Sequence, residues 1–164
     1  MHVSYQLCAL AGHYEVVARA ADAAGWTLTE LPQGYGLLPV TRQLFDRLGD
    51  AEARPFSDTF RYLSAGIEAL ARQVSHSRSI AYLEAEMFGG AGTQAIVVWR
   101  GDQIVLGPLT TEFRTETPQR PLSAQWAFNH GLRELGVNKG DAPDEFDALQ
   151  LGRHRRTEDW LSAA

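Results

Sequence analysis

The sequence predicts a single α+β domain over residues 1–164, built on an antiparallel sheet that contains a three-stranded meander at about residues 80–108 and packs against helices. Three observations carry that expectation. Between Ile80 and Leu106 the apolar residues alternate with period two, and Gly101-Asp102 joins two of the segments as a two-residue turn of the kind antiparallel hairpins favour. Helical periodicity lies in separate stretches before and after this region. With 164 residues, 45% of them hydrophobic and 21% charged, the chain suffices for one buried core, and no repeat or shift of composition divides it.

At the N-terminus, Val3, Tyr5, Leu7 and Ala9 alternate with Ser4, Gln6 and Cys8, which predicts a strand with one better-buried face. The Ala-rich run His13–Ala24 predicts a helix with Tyr14, Val17 and Ala21 on one face, ended by Gly25. "WTLTEL" returns to period two, Pro32 to Gly34 make a turn, and Pro39 fits "YGLLPV" to an edge strand. Thr41 caps a short helix carrying Leu44, Phe45 and Leu48 up to Gly49. Ser57 or Asp58 then starts the clearest helix, residues 58–74, in which Phe60, Leu63, Ile67, Leu70, Ala71 and Val74 keep helical spacing. The meander follows, with strands at Ile80–Phe88, Gln94–Arg100 and Gln103–Leu106. After a polar stretch from Thr110 to Arg120, residues 121–136 predict a helix with Trp126, Asn129, Leu132 and Leu135 near one face and Gly136 as its stop. A short helix is expected in "DAPDEFDALQL", and Thr157 caps a final turn.

The bulk properties narrow the function classes. A net charge of -5 gives no global attraction to nucleic acid or to an anionic membrane. No positively charged and apolar leader precedes the first strand, and no apolar run approaches about 18 residues, so the expected compartment is the cytoplasm, without membrane contact. Cys8 is the sole cysteine and reads as a small apolar strand residue. His2, His13, His76, His130 and His154 lack the close spacing of zinc ligands, and neither GxSxG nor HExxH occurs, so neither metal nor cofactor is expected and hydrolase chemistry has no anchor.

Three groups remain as candidate sites. Glu84 and Glu86 leave the same face of one strand, which suits a basic partner, a cation or a proton transfer, and equally suits a solvated sheet face. Gly89, Gly90 and Gly92 offer backbone N–H groups to a phosphate, but without a P-loop lysine or a following helix they read as a turn or bulge, as Gly101 and Asp102 do. Arg153, His154, Arg155 and Arg156 form a basic island, open either to an acidic partner or to pairing with neighbouring carboxylates, Glu84 and Glu86 among them.

The segments "YLEAEMFGGAGTQAIVVW" and "DEFDALQLGRHRRTEDW" resemble parts of small uncharacterised bacterial proteins, some of them immunity proteins of polymorphic toxin systems. The resemblance implies a protein that binds and blocks a cognate toxin. Glu84, Glu86 and the Arg153–Arg156 island are the expected contact residues on charge density alone. Two alternatives stay open: a small enzyme or ligand-binding domain using the Glu84/Glu86 face and the glycine turn, and a homo-oligomeric module that buries a strand edge.

Overall fold

The computed structural model describes residues 4–114 and 122–161. Its strands are β1 (Ser4–His13), β2 (Thr29–Leu31), β3 (Tyr35–Pro39), β4 (Ile80–Phe88), β5 (Ala91–Arg100) and β6 (Gln103–Phe113). They form one sheet of order β2-β3-β1-β4-β5-β6 in which every pairing is antiparallel. The helices are α1 (Tyr14–Ala24), α2 (Arg42–Leu48), α3 (Ala65–Val74), α4 (Ala127–Leu135) and the single turn α5 (Glu145–Ala148). The α+β class and the meander, now β4-β5-β6, are as the period-two pattern predicts.

The sheet is covered on both faces. Leu10, Leu38, Ile80, Tyr82, Val97 and Trp99 belong to one core with the buried residues of α1, α2 and α3. Leu7, Ala9, Leu37, Leu83, Ile96 and Val98 belong to a second core with Phe128 and Leu132 of α4 and with Leu149, Leu151 and Trp160. This corrects the expectation that β1 has one better-buried face: Cys8 and Leu10 are buried on the face opposite Leu7 and Ala9. Apolar residues run without a break from Leu7 to Ala11, and such a run is the mark of a strand covered on both sides.

Several boundaries move for identifiable reasons. The helix expected at 58–74 begins only at Ala65, where the Ser64 hydroxyl accepts the Ile67 N–H at 3.2 Å as its N-cap. Phe60 and Leu63 are still buried in the same core, so the apolar stripe continues across a break in the backbone. β6 runs on to Phe113, into the stretch read as polar, because Thr110 and Glu112 alternate with buried Thr111 and Phe113 along an edge strand. β5 starts at Ala91 rather than Gln94. β3 is not an edge strand: it lies between β2 and β1, and Pro39 is its last residue. In α1 it is Val16 and Ala20 that join Val17 and Ala21 inside, while Tyr14 is exposed. Val3, His2 and residues 115–121, where the polar stretch ends and the helix of residues 121–136 was expected to start, lie outside the described residues.

The helix expected at 121–136 is α4, entered through a short 3-10 turn at Ser123–Gln125. Its N-terminus is satisfied by the sheet itself: Gln94 Oε1 accepts the Phe128 N–H at 2.7 Å and Thr111 Oγ1 the Ala127 N–H at 2.8 Å. A Cβ at Gly131 would lie 2.1 Å from Ile96 Cδ1, so a larger residue there requires the buried Ile96 side chain to shift for the helix to sit this low on β5. Asn129, fully buried, donates to the Ser123 carbonyl and accepts the Phe146 N–H, tying α4 to its neighbours on either side. The sheet's two edges are three-residue β2 and β6, in which Pro108 lacks an N–H and the register against β5 shifts beside Val98. Neither offers a long regular ladder to a second copy.

Candidate functional site

β1 and β4 pair so that Cys8 lies opposite Glu84 and Gln6 opposite Glu86, and all four side chains leave the sheet on the α3 face. The segment before α3 crosses this face. Phe60 anchors it, packing edge-on against Tyr82 with ring centroids 5.3 Å apart. With Phe60 so placed, the next two amides point at Glu84: the Arg61 N–H donates to Oε2 at 2.7 Å and the Tyr62 N–H to Oε1 at 2.9 Å. The hydroxyl of fully buried Tyr82 donates to the same Oε1 at 2.8 Å. Glu84 is therefore a fastener between sheet and loop, and three of its lone pairs are taken.

Glu86, two residues on, faces outward and meets Arg61 at 3.3 Å with both side chains substantially exposed. It keeps acceptor capacity for a partner. Together with Asp58, Arg61 and Phe88, the two glutamates line an open cleft of about 440 Å³. Burial, reinforced by the nearby Glu84 carboxylate, pushes the Cys8 thiol well above its ordinary value, and burial does the same to the Tyr82 phenol. Both stay protonated near neutrality, so neither is an activated nucleophile or base.

The glycine stretch is a β-hairpin tip. Gly89, Gly90 and Gly92 have φ of 57°, 86° and 143°, and Phe88 pairs with Ala91 across the turn. At Gly92 a Cβ would fall 2.0 Å from the Glu86 carbonyl oxygen, a collision added to a backbone that side chains disfavour. Gly101, with φ 60°, donates its N–H to Ser75 and so ties the second hairpin turn to the end of α3, while Arg72 donates to the Asp102 carbonyl. Phe88, at the mouth of the first turn, is 63% exposed.

The basic island occupies the slot beside β1 beyond the end of β3. Gln6 N–H donates to the Arg155 carbonyl at 2.8 Å and Cys8 N–H to Thr157 Oγ1 at 3.0 Å, so Thr157 bonds to the sheet instead of capping the last turn. Arg153 stacks on buried Trp160 and His154 meets the same ring edge-on. Arg155 and Arg156 stay exposed, and Arg156 shares a cleft of about 240 Å³ with Glu86, Phe88 and Glu158. The structure thus brings the two candidate groups to one face without pairing Glu84 with the island. Among the described residues no group of three or more His, Cys, Asp or Glu side chains is placed to hold a metal ion, and no helix is long and apolar enough to cross a membrane.

Phe88, Arg61 and Tyr62 were not singled out from the sequence. Phe88 had a signal, since an aromatic residue directly before a Gly-Gly turn must stand at a hairpin tip. Arg61 and Tyr62 were hidden inside a helix that does not start there. No family model, curated protein or solved structure matches the chain.

Proposed function

We propose that the protein acts by binding another protein through the face at the ends of β1 and β4, as an immunity protein that neutralises a cognate bacterial toxin in the cytoplasm. The observation that carries the binding reading is the position of Phe88: largely exposed, it lines both the 440 Å³ cleft and the 240 Å³ cleft, and Glu86 lines both with it. An apolar anchor ringed by Asp58, Arg61, Glu86, Arg156 and Glu158 has the anatomy of an interface hot spot with a charged rim. The toxin assignment comes from the resemblance of residues 82–99 and 144–160. These segments, distant in sequence, both contribute residues to this face, Glu86 and Phe88 from one and Arg156 and Glu158 from the other.

The test is co-purification with the products of neighbouring genes, followed by binding kinetics at two ionic strengths. Phe88→Ala should weaken association about tenfold or more, as loss of an anchor does. Glu86→Lys should slow association with a basic partner and reduce its salt dependence. Unchanged affinity in both variants would remove this face from the interface. Turnover of a small molecule by the isolated protein would move the assignment to an enzyme.

A further inference from the structure

Tyr62 also lines a second cavity, of about 310 Å³, which adjoins the 240 Å³ cleft through Gln6 and Glu158. Among its lining residues Cys8, Val40 and Phe45 are buried and apolar, and Thr41 and Thr157 are buried beside them. Its rim carries charges of both signs, Arg42, Arg54 and Glu158. The volume falls in the range of small-molecule sites, about 300–1,000 Å³.

Arg54 is the organised member of the rim. Its Nε donates to the Ala51 carbonyl at 2.6 Å, its Nη1 donates to the Arg61 carbonyl, and its guanidinium lies over the Phe45 ring at 5.1 Å. Two carbonyls and an aromatic face fix the plane of the group, and no described residue takes a hydrogen bond from Nη2. A guanidinium held this way presents donors at a set angle, as recognition of a carboxylate requires. Arg42, exposed like Arg54, differs in pairing only loosely, with Asp46 at 3.4 Å. Glu158, on the opposite chain segment, is exposed and makes no side-chain hydrogen bond to a described residue. It would repel a second carboxylate on a ligand and accept an ammonium group.

We infer that this cavity binds an apolar α-amino acid as its zwitterion, with the carboxylate on Arg54, the ammonium on Glu158 and the hydrocarbon side chain on the Val40, Phe45 and Cys8 floor. The cavity shares Glu158 with the rim of the protein-binding face, but neither Phe88 nor Glu86 lines it, so leucine binding and partner binding are read by different variants.

Cys8, the sole cysteine, lies on the floor and reports occupancy through its slow modification, and titration calorimetry of each compound below reads binding directly whatever the rate at which this buried thiol reacts. The rate of modification by methyl methanethiolsulfonate is measured for the full-length protein with L-leucine, N-acetyl-L-leucine or L-leucinamide. Leucine at ten times its Kd leaves the cavity empty about one-tenth of the time and should slow modification about tenfold. The acetylated compound, which lacks the ammonium, and the amide, which lacks the carboxylate, should protect far less. Glu158→Gln, an exposed change that does not threaten the fold, should weaken leucine protection and abolish the advantage of leucine over N-acetyl-leucine. Arg54→Lys should lose protection by leucine. Equal protection by leucine and N-acetyl-leucine would reject the zwitterion and assign the cavity to a peptide C-terminus. No binding of any of the three by calorimetry, or an undiminished effect in Glu158→Gln, would overturn the proposal.

Discussion

Replacing Glu84 by alanine tests whether the carboxylate fastens the loop to the sheet. The change removes the acceptor of three hydrogen bonds, from the Arg61 and Tyr62 amides and the Tyr82 hydroxyl. Hydrogen bonds to charged groups contribute about 1.5–3 kcal/mol each. Arg61 and Tyr62 are exposed, so their amides regain water and recover most of the loss, whereas the Tyr82 hydroxyl belongs to a fully buried residue and does not. Taking the Tyr82 bond at about 2 kcal/mol and the two amides together at about 1 gives a destabilisation of about 3 kcal/mol. For a domain of this size that lowers Tm by about 6–12 °C. Glu86→Ala, which breaks only an exposed ion pair, should cost about 0.5 kcal/mol or less. Urea unfolding of both variants, with Tyr82→Phe and the Glu84/Tyr82 double variant completing a cycle, measures the coupling directly, and about 1–2 kcal/mol is expected. A Glu84→Ala protein within about 0.5 kcal/mol of the parent, or a Glu86→Ala protein that loses as much, would refute the reasoning.

Leu63→Ala and Ile67→Ala should each cost about 2–5 kcal/mol in denaturant unfolding, because both side chains are fully buried although only Ile67 is helical; equal, unchanged midpoints would remove them from the core. Gly92→Ala should destabilise by more than the roughly 0.4–1 kcal/mol that stiffening the unfolded chain returns, since its Cβ meets the Glu86 carbonyl; a variant as stable as the parent would show that the hairpin tip relaxes freely. Burial, with the Asp144 carboxylate beside it, raises the Asp147 carboxyl above its ordinary value. Folding therefore disfavours its ionisation, and stability falls as pH rises from the unfolded carboxylate value through the folded one. Asp147→Asn should remove that slope and leave the protein at least as stable at neutral pH, as a pH series of thermal unfolding curves would show.

The parts of the fold that the sequence displays are those whose signals are local. The Gly101-Asp102 turn, the Gly25 and Gly136 helix ends and the Thr41 cap each act within a few residues, and each stands where its chemistry requires. The layer on the second face of the sheet was harder to read. Whether Cys8 and Leu10 face water or helices depends on α1, α2 and α3 closing over them, and no residue within β1 records that except the length of its apolar run. The polar residues of β6 misled for the opposite reason: an edge strand is expected to keep polar side chains, so polarity there marked an exposed strand rather than the end of one.

The two glutamates show why the site was only half legible. In sequence terms Glu84 and Glu86 are equivalent, two carboxylates on one face of one strand. They part because a loop more than twenty residues upstream crosses the sheet at Glu84 and not at Glu86. That crossing is set by Phe60 on Tyr82, and it requires the Arg61 and Tyr62 amides to be free of a preceding helical turn. A helix running from 58 would bond the Tyr62 N–H to the carbonyl four residues earlier and leave Glu84 with one fewer donor. The spacing of Phe60, Leu63 and Ile67 satisfies that helix equally well, so periodicity alone does not exclude it. Ser64 decides the matter, because an N-cap there starts the helix at Ala65, seven residues later, and releases both amides to the carboxylate. The placement of the acidic cleft thus rests on a capping choice between Ser57, Asp58 and Ser64, made in a segment that contributes none of the glutamates.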